Sequence, residues 1–311
     1  MSDVVWMNKE KKYKSKDEIV YAVKGLLNED ELFTLRQSLM DVDTNINMSD
    51  VILSNENREK FQQFIREQKN KEKLIEAGLM PMNRILMFGA TGTGKTYSTK
   101  ALSNLLGYTM LYVDIAKALE SNDVAKNVAV IFTVANHLKE CLIMLDECDA
   151  VAWNRDLTTG GEEQTKARRA TNSIFQQLDQ MDSSNVFIAA TNLAHKLDPA
   201  FKRRFDMQMF FQKPNMDIDD ALLHFLHKDK FKYIDDVETN IRDIAKRRAN
   251  SKISTLSYDE LQIIVEIAMK EAVLDGTYEV RSSRLYNELS NRLGLNHTSG
   301  SKTVEQKALW Q

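Results

Sequence analysis

The sequence predicts an α/β fold: a parallel five-stranded sheet covered by helices on both faces, followed by a smaller, α-helical domain. Three observations predict it. Five short apolar runs, at residues 85–88, 110–113, 141–145, 186–190 and 207–211, alternate with segments of helical period. Continuous apolar runs separated by helices are what a parallel sheet buried on both faces requires. Breakers are scarce, with three prolines and eleven glycines in 311 residues, and Gly89, Gly92 and Gly94 crowd together just after the first run. Beyond Pro214 the periodic segments are all helical.

The elements follow in order. Residues 1–50 begin polar and lysine-bearing, then turn helical at 29–40, where Leu32, Leu35 and Leu39 fall at helical spacing. Residues 56–73 carry Phe61, Phe64 and Ile65 on one face and charge on the other, with Gly78 as a stop. The run at 85–88 is followed by a helix at 96–106 that ends at Gly107. Helices at 124–138 and 162–181 separate the second, third and fourth runs, the latter turning Ile174, Phe175 and Leu178 inward. Four helical segments, 218–227, 237–248, 258–274 and 283–293, make the second domain, and the polar tail from Leu295 is expected to be flexible.

Composition narrows the function. Hydrophobic residues at 43% and charged residues at 28% are enough to build a core, which excludes wholesale disorder. A net charge of −3 removes the usual argument for a nucleic-acid binder. No apolar run approaches the ~20 residues that span a bilayer, and the first twenty residues lack the apolar centre of a secretory signal. Cys141 and Cys148 fit neither a disulfide framework nor a metal set. A cytoplasmic protein without membrane contact is expected.

The segment GATGTGKT, comprising Gly89, Ala90, Thr91, Gly92, Thr93, Gly94, Lys95 and Thr96, follows an apolar run and opens a helix. It fits the phosphate-loop pattern. Glycines let backbone amides wrap phosphate oxygens at the positive end of a helix. Lys95 would reach the β and γ phosphates of ATP, and the Thr96 hydroxyl would ligate Mg²⁺. The run CLIMLDECD sets Asp146 and Glu147 at a strand end, where ligands of parallel sheets gather. Asp146 would face the Mg²⁺, and Glu147 would polarise the attacking water as general base. The run VFIAATN ends in Asn192, a polar group placed to hold that water.

These residues resemble the AAA+ ATPases, and within them the AAA subgroup, from about Asp50 to about Leu293. LIEAGLMPMNRILMFGATGTGKT is similar to the subgroup's lead-in and Walker A, and LIMLDECDA to its Walker B. RRATNSIFQQLDQMDSSNVFIAATN with LDPAFKRRFD is similar to its second region of homology. The resemblance implies a nucleotide domain, an α-helical lid and a homo-oligomeric ring, usually a hexamer. It places Asn192 at sensor 1, and Arg203 and Arg204 at arginine-finger positions that reach the neighbour's γ-phosphate. The expected divisions are an N-terminal helical and flexible region (1–49), the nucleotide domain (50–213), the lid (214–294) and the tail (295–311). The expected activity is ATP hydrolysis that remodels a protein or complex. A DNA-transaction ATPase of clamp-loader or initiator type is the alternative, disfavoured by charge.

Three departures from the family pattern matter. Ala90 and Thr91 stand where two prolines are usual, but the phosphate contacts there are backbone. The region of Ser257 and Tyr258 has no sensor-2 arginine. The stretch at 116–123, AKALESND, lacks the aromatic residue that polypeptide-threading members usually carry, which argues against forceful threading and leaves milder remodelling open. DVDTNIN at 41–47 begins like a Ca²⁺ loop but puts Ile46 at the glycine position and Ile52 at the final glutamate position. His224 and His227 lie three apart on a helical segment without a third ligand.

Overall fold

The computed structural model describes residues 13–43, 45–115, 124–151, 162–214, 221–222, 224–225, 231–234 and 256–292. The expected pore stretch at 116–123, the helix at 237–248, His227 and the tail lie outside the described residues. The chain divides into two compact units, Met1–Gln212 and Lys213–Gln311.

The first unit opens with α1 (Lys16–Ala22), capped by the Ser15 hydroxyl, and α2 (Glu29–Ser38), closed by a reciprocal Asn28–Glu31 capping box. Then come α3 (Asn55–Lys69), α4 (Lys71–Glu76), β1 (Arg84–Gly89), α5 (Lys95–Leu106) and β2 (Thr109–Val113). α6 (Val124–Leu138), β3 (Cys141–Leu145), α7 (Glu162–Gln180), β4 (Val186–Thr191), the single turn α8 (Pro199–Lys202) and β5 (Met207–Phe211) complete it. All five expected strands are present. The helix read as continuous over 56–73 is instead broken at Asn70, whose backbone leaves helical geometry and whose amide side chain caps the Arg66 carbonyl at 2.8 Å.

The strands pair in parallel in the order β2-β3-β4-β1-β5. The β1-to-β2 connection crosses the sheet one way, and every later connection runs back the other way. Right-handed crossovers therefore put α5 on one face and α6, α7 and α8 on the other. Strand side chains alternate accordingly. Ile85, Met87, Leu142, Met144 and Ile188 pack with Phe61 and Phe64 of α3 and Leu102 of α5. Leu86, Ile143, Leu145 and Phe187 pack with Val134 of α6, Ile174 and Leu178 of α7 and Leu35 of α2.

Both sheet edges are covered. At β5 the Asn57 amide donates to the Phe210 carbonyl at 2.8 Å, and the Lys60 ammonium to the Gln208 carbonyl at 3.0 Å. At β2 the chain after α2 adds a short bridge, with Met40 N donating to Tyr112 O at 2.9 Å and Asp114 N to Ser38 O at 2.9 Å. Satisfying edge carbonyls this way removes a template for unwanted strand pairing. Gly89 ends β1 at φ +152°, and a Cβ there would stand 2.0 Å from the Phe211 carbonyl oxygen. Only glycine permits β1 and β5 to close so tightly.

Side chains also tie together the opposite end of the sheet. Asn185 accepts from Cys141 N at 3.0 Å, and Asn136 accepts from Asp182 N at 2.9 Å and from the Asn185 amide at 3.1 Å. Lys139 pairs with Asp182, whose Oδ1 also accepts from the Ser184 hydroxyl at 2.6 Å. Burial works to raise the Asp182 pKa, but Lys139 and Ser184 prevail and hold it at about 2, below the ordinary 3.8.

In the second unit the described elements are β6 (Lys232–Ile234), α9 (Tyr258–Leu274), β7 (Glu279–Arg281) and α10 (Ser282–Arg292). The helices-only expectation is corrected here: β6 and β7 form a parallel pair with Tyr233 opposite Val280. Strands of three residues are too short for a period-2 pattern to register against the surrounding helices. α9 starts on a Ser257–Glu260 capping box and buries Leu261, Ile264, Val265 and Ala268.

Two predictions follow from this packing. Gly89→Ala should destabilise the first unit by about 2–4 kcal/mol, because backbone strain and a backbone clash add. A urea midpoint equal to wild type would contradict the close approach. Asp182 has a depressed folded pKa, so its contribution is present above the ordinary carboxylate range and is lost as pH falls through about 2. Asp182→Asn should therefore lower the urea midpoint at pH 7, and the difference should shrink as pH drops from 4 toward 2.

Candidate active site

Because all five strands are parallel, the segments that follow β1, β3 and β4 emerge at one end of the sheet, where β3, β4 and β1 are adjacent. The loop after β1 turns through Gly92 at φ 73° and Gly94 at φ 92°, both left-handed. Thr93 braces the loop, its buried hydroxyl donating to the Ala90 carbonyl at 2.8 Å. Among the described residues, the amides of Thr91, Gly92, Thr93 and Gly94 donate to no protein acceptor. A row of open amides leading into α5 is a cradle for phosphate oxygens.

Lys95 is buried at 6% exposure, which an ammonium tolerates only when well bonded. It donates to the carbonyls of Gly89 and Ala90 at 2.8 Å each and to Asn192 Oδ1 at 2.7 Å. The first position of the helix and the polar residue after β4 are thus in direct contact. One position on, the Thr96 hydroxyl donates to Asp146 Oδ2 at 2.7 Å. Asp146 Oδ1 accepts from the Glu147 amide at 3.0 Å, and Oδ2 accepts a second hydroxyl, that of Tyr112, at 3.0 Å. Burial and the neighbouring Asp146 carboxylate push the Tyr112 phenol far up, so it remains a donor.

Glu147 is exposed and holds a left-handed backbone, φ 50° and ψ 40°. Such a conformation costs a non-glycine residue about 1–2 kcal/mol and turns the chain sharply at the strand end. Asp149 accepts from the Thr191 hydroxyl at 2.7 Å, and Thr191 in turn accepts from Leu193 N at 2.9 Å, which fixes the loop after β3 to the end of β4. Cys148 is fully buried and its thiol pushed well up by burial, then by Asp149 and Asp146, so it is no ligand here. The accessible donors are a threonine hydroxyl and a carboxylate. That all-oxygen set suits Mg²⁺, which would be held by Thr96 and Asp146.

The structure brings Lys95, Thr96, Asp146, Glu147 and Asn192 to the same end of the sheet. It separates the two arginines. Arg204 is half-buried, paired with Asp179 of α7 and lying 4.8 Å from the Phe175 ring centre, both in its own chain. Arg203 is exposed and, among the described residues, has no side-chain partner. Sequence reasoning missed Tyr112, which reads as an ordinary strand residue. Only the pairing of β2 with β3, which sets Tyr112 beside Met144, carries its phenol to Asp146.

Residues 85–213 match the family described as the ATPase family associated with various cellular activities (AAA). The chain is 27% identical over 254 residues to the "Uncharacterized AAA family ATPase y4kL" of Sinorhizobium fredii, covering 80% of this chain and 73% of that protein. It is 28% identical over 230 residues to the rice 26S proteasome regulatory subunit 4 homolog, covering 65% of this chain and 51% of the relative. It is 33% identical over 190 residues to the proteasome-activating nucleotidase of Methanococcus vannielii, covering 58% of this chain and 45% of the relative. The chain thus spans about half the length of the two proteasomal relatives. No helix among the described residues is long and apolar enough to cross a membrane.

Lys95→Ala removes the ammonium beside the amide cradle. ATP affinity by calorimetry should fall roughly 100-fold, the worth of one or two charge-assisted hydrogen bonds. Unchanged affinity would contradict the assignment of this loop to phosphate.

Proposed function

We propose that residues 85–213, which match the AAA family, form an ATPase domain, and that the chain binds ATP with Mg²⁺ and hydrolyses it between subunits of a homo-oligomeric ring, six by family precedent, to remodel a protein or protein complex. The observation that carries this reading is the convergence of Lys95, Thr96, Asp146, Glu147 and Asn192 at one end of the sheet, while Arg203 stands exposed with no side-chain partner among the described residues. Two relatives are named for the proteasome, which supports a protein as the thing remodelled. The net charge of −3 favours protein over DNA.

The chemistry divides among this chain's own groups. The open amides of the loop hold the phosphates, and Lys95 turns from Asn192 to meet the β and γ oxygens. When bound, Mg²⁺ neutralises charge on those oxygens. Freed from Lys95, the Asn192 amide orients a water toward the γ-phosphorus. The Glu147 carboxylate accepts that water's proton as its oxygen bonds to phosphorus and the bond to the ADP oxygen breaks. Arg203 of the neighbouring subunit stabilises the charge on the equatorial oxygens. Arg204 holds α7 to the turn after α8 and acts within its own chain.

Mixing two inactive variants tests this assignment. Arg203→Ala and Glu147→Gln should each bind ATP nearly normally and hydrolyse it poorly, by about 10³-fold if the effects match other arginine fingers and catalytic bases. Mixed rings contain interfaces with the native arginine on one side and native Glu147 on the other, so turnover should partly return. Arg204→Ala should instead lower the melting temperature. No rescue in the Arg203–Glu147 mixture would contradict a site built from two chains.

A further inference from the structure

Tyr112 lies on β2, outside every segment that carries the nucleotide motifs, yet its hydroxyl donates to Asp146 Oδ2 at 3.0 Å. The same oxygen accepts from Thr96 at 2.7 Å, and the other carboxylate oxygen accepts the Glu147 amide at 3.0 Å. Asp146 is therefore held by three donors from three segments. Thr96 spends its one hydroxyl proton on Asp146, so the lone pairs of its oxygen are left for a cation. The phenol is itself fixed at its root: the Tyr112 carbonyl accepts Met40 N at 2.9 Å, where the chain after α2 covers the sheet edge.

We propose that Tyr112 is a positioning residue for the divalent cation of the nucleotide site: it sets the Asp146 carboxylate, which sets the Thr96 hydroxyl in the orientation that ligates Mg²⁺. This rests on the nucleotide reading above and adds to it a residue from the edge strand. Groups that orient a metal's ligands by hydrogen bonds commonly contribute 10–100-fold to metal affinity.

The test is Tyr112→Phe, which keeps the ring and removes only the hydroxyl. Binding of a fluorescent ATP analogue is measured in EDTA and then across a Mg²⁺ titration, with Mn²⁺ binding to the nucleotide complex followed by electron paramagnetic resonance. The expected result is a half-saturating Mg²⁺ concentration raised about 10-fold, a matching loss of bound Mn²⁺, and unchanged analogue affinity in EDTA and melting temperature. An unshifted Mg²⁺ titration would overturn the proposal. So would equal losses with and without metal, or a lowered melting temperature accompanying them, which mark a merely structural tyrosine. Wild-type protein that binds no analogue under either condition would overturn the nucleotide reading first, and this inference with it.

Discussion

The site depends on one constraint: every strand of the five-stranded sheet points the same way, and β1 is inserted between β4 and β5. A parallel sheet delivers all its carboxyl ends to one edge. The strand order then decides which ends are neighbours. β3, β4 and β1 are adjacent, so groups distant in sequence meet: Lys95 bonds Asn192, and Thr96, the next residue along, bonds Asp146. β2 on the far side of β3 supplies Tyr112 to the same cluster. The packing that enforces this order is the double-sided core, with α3 and α5 on one face and α2, α6 and α7 on the other.

Within that frame the side chains of Lys95, Thr96, Tyr112, Asp146 and Asn192 are bonded to protein groups. Lys95 donates to two loop carbonyls and Asn192, and Asp146 accepts from two hydroxyls and a backbone amide. Ligand entry exchanges these bonds for others instead of creating order from nothing, which lowers the entropic cost of binding. On the proposed reading, phosphate that takes the lysine releases Asn192, so the group assigned to orient water becomes available only with nucleotide.

Much of this was legible in the residues, for physical reasons. Strands buried on both faces need continuous apolar runs, so β1 to β4 announced themselves, while the edge strand β5 buries alternate residues and leaves Gln208 and Phe210 exposed. The glycines at 89, 92 and 94 mark positive φ that side chains adopt at a cost, and at Gly89 a Cβ would also meet the Phe211 carbonyl. The remainder was hidden by kind. α1 is seven residues long and buries only Ile19, too little for a periodic stripe. β6 and β7 have three residues each. The break at Asn70 interrupts a charged helix whose pattern continues across it. Tyr112 and Arg204 take their meaning from partners 34 and 25 residues away. The motif named both arginines alike, and only the Asp179 and Phe175 contacts distinguish them.

The central claim is that an active site is completed by a second copy of the chain. Isolated subunits then lack the arginine and hydrolyse slowly, while assembled ones share it. The most direct measurement is phosphate release per subunit over a thousandfold range of protein concentration, with the mass distribution recorded at each point. The account predicts specific activity that rises with concentration in step with the oligomer fraction. Specific activity that stays constant down to concentrations where only monomer is present would contradict it.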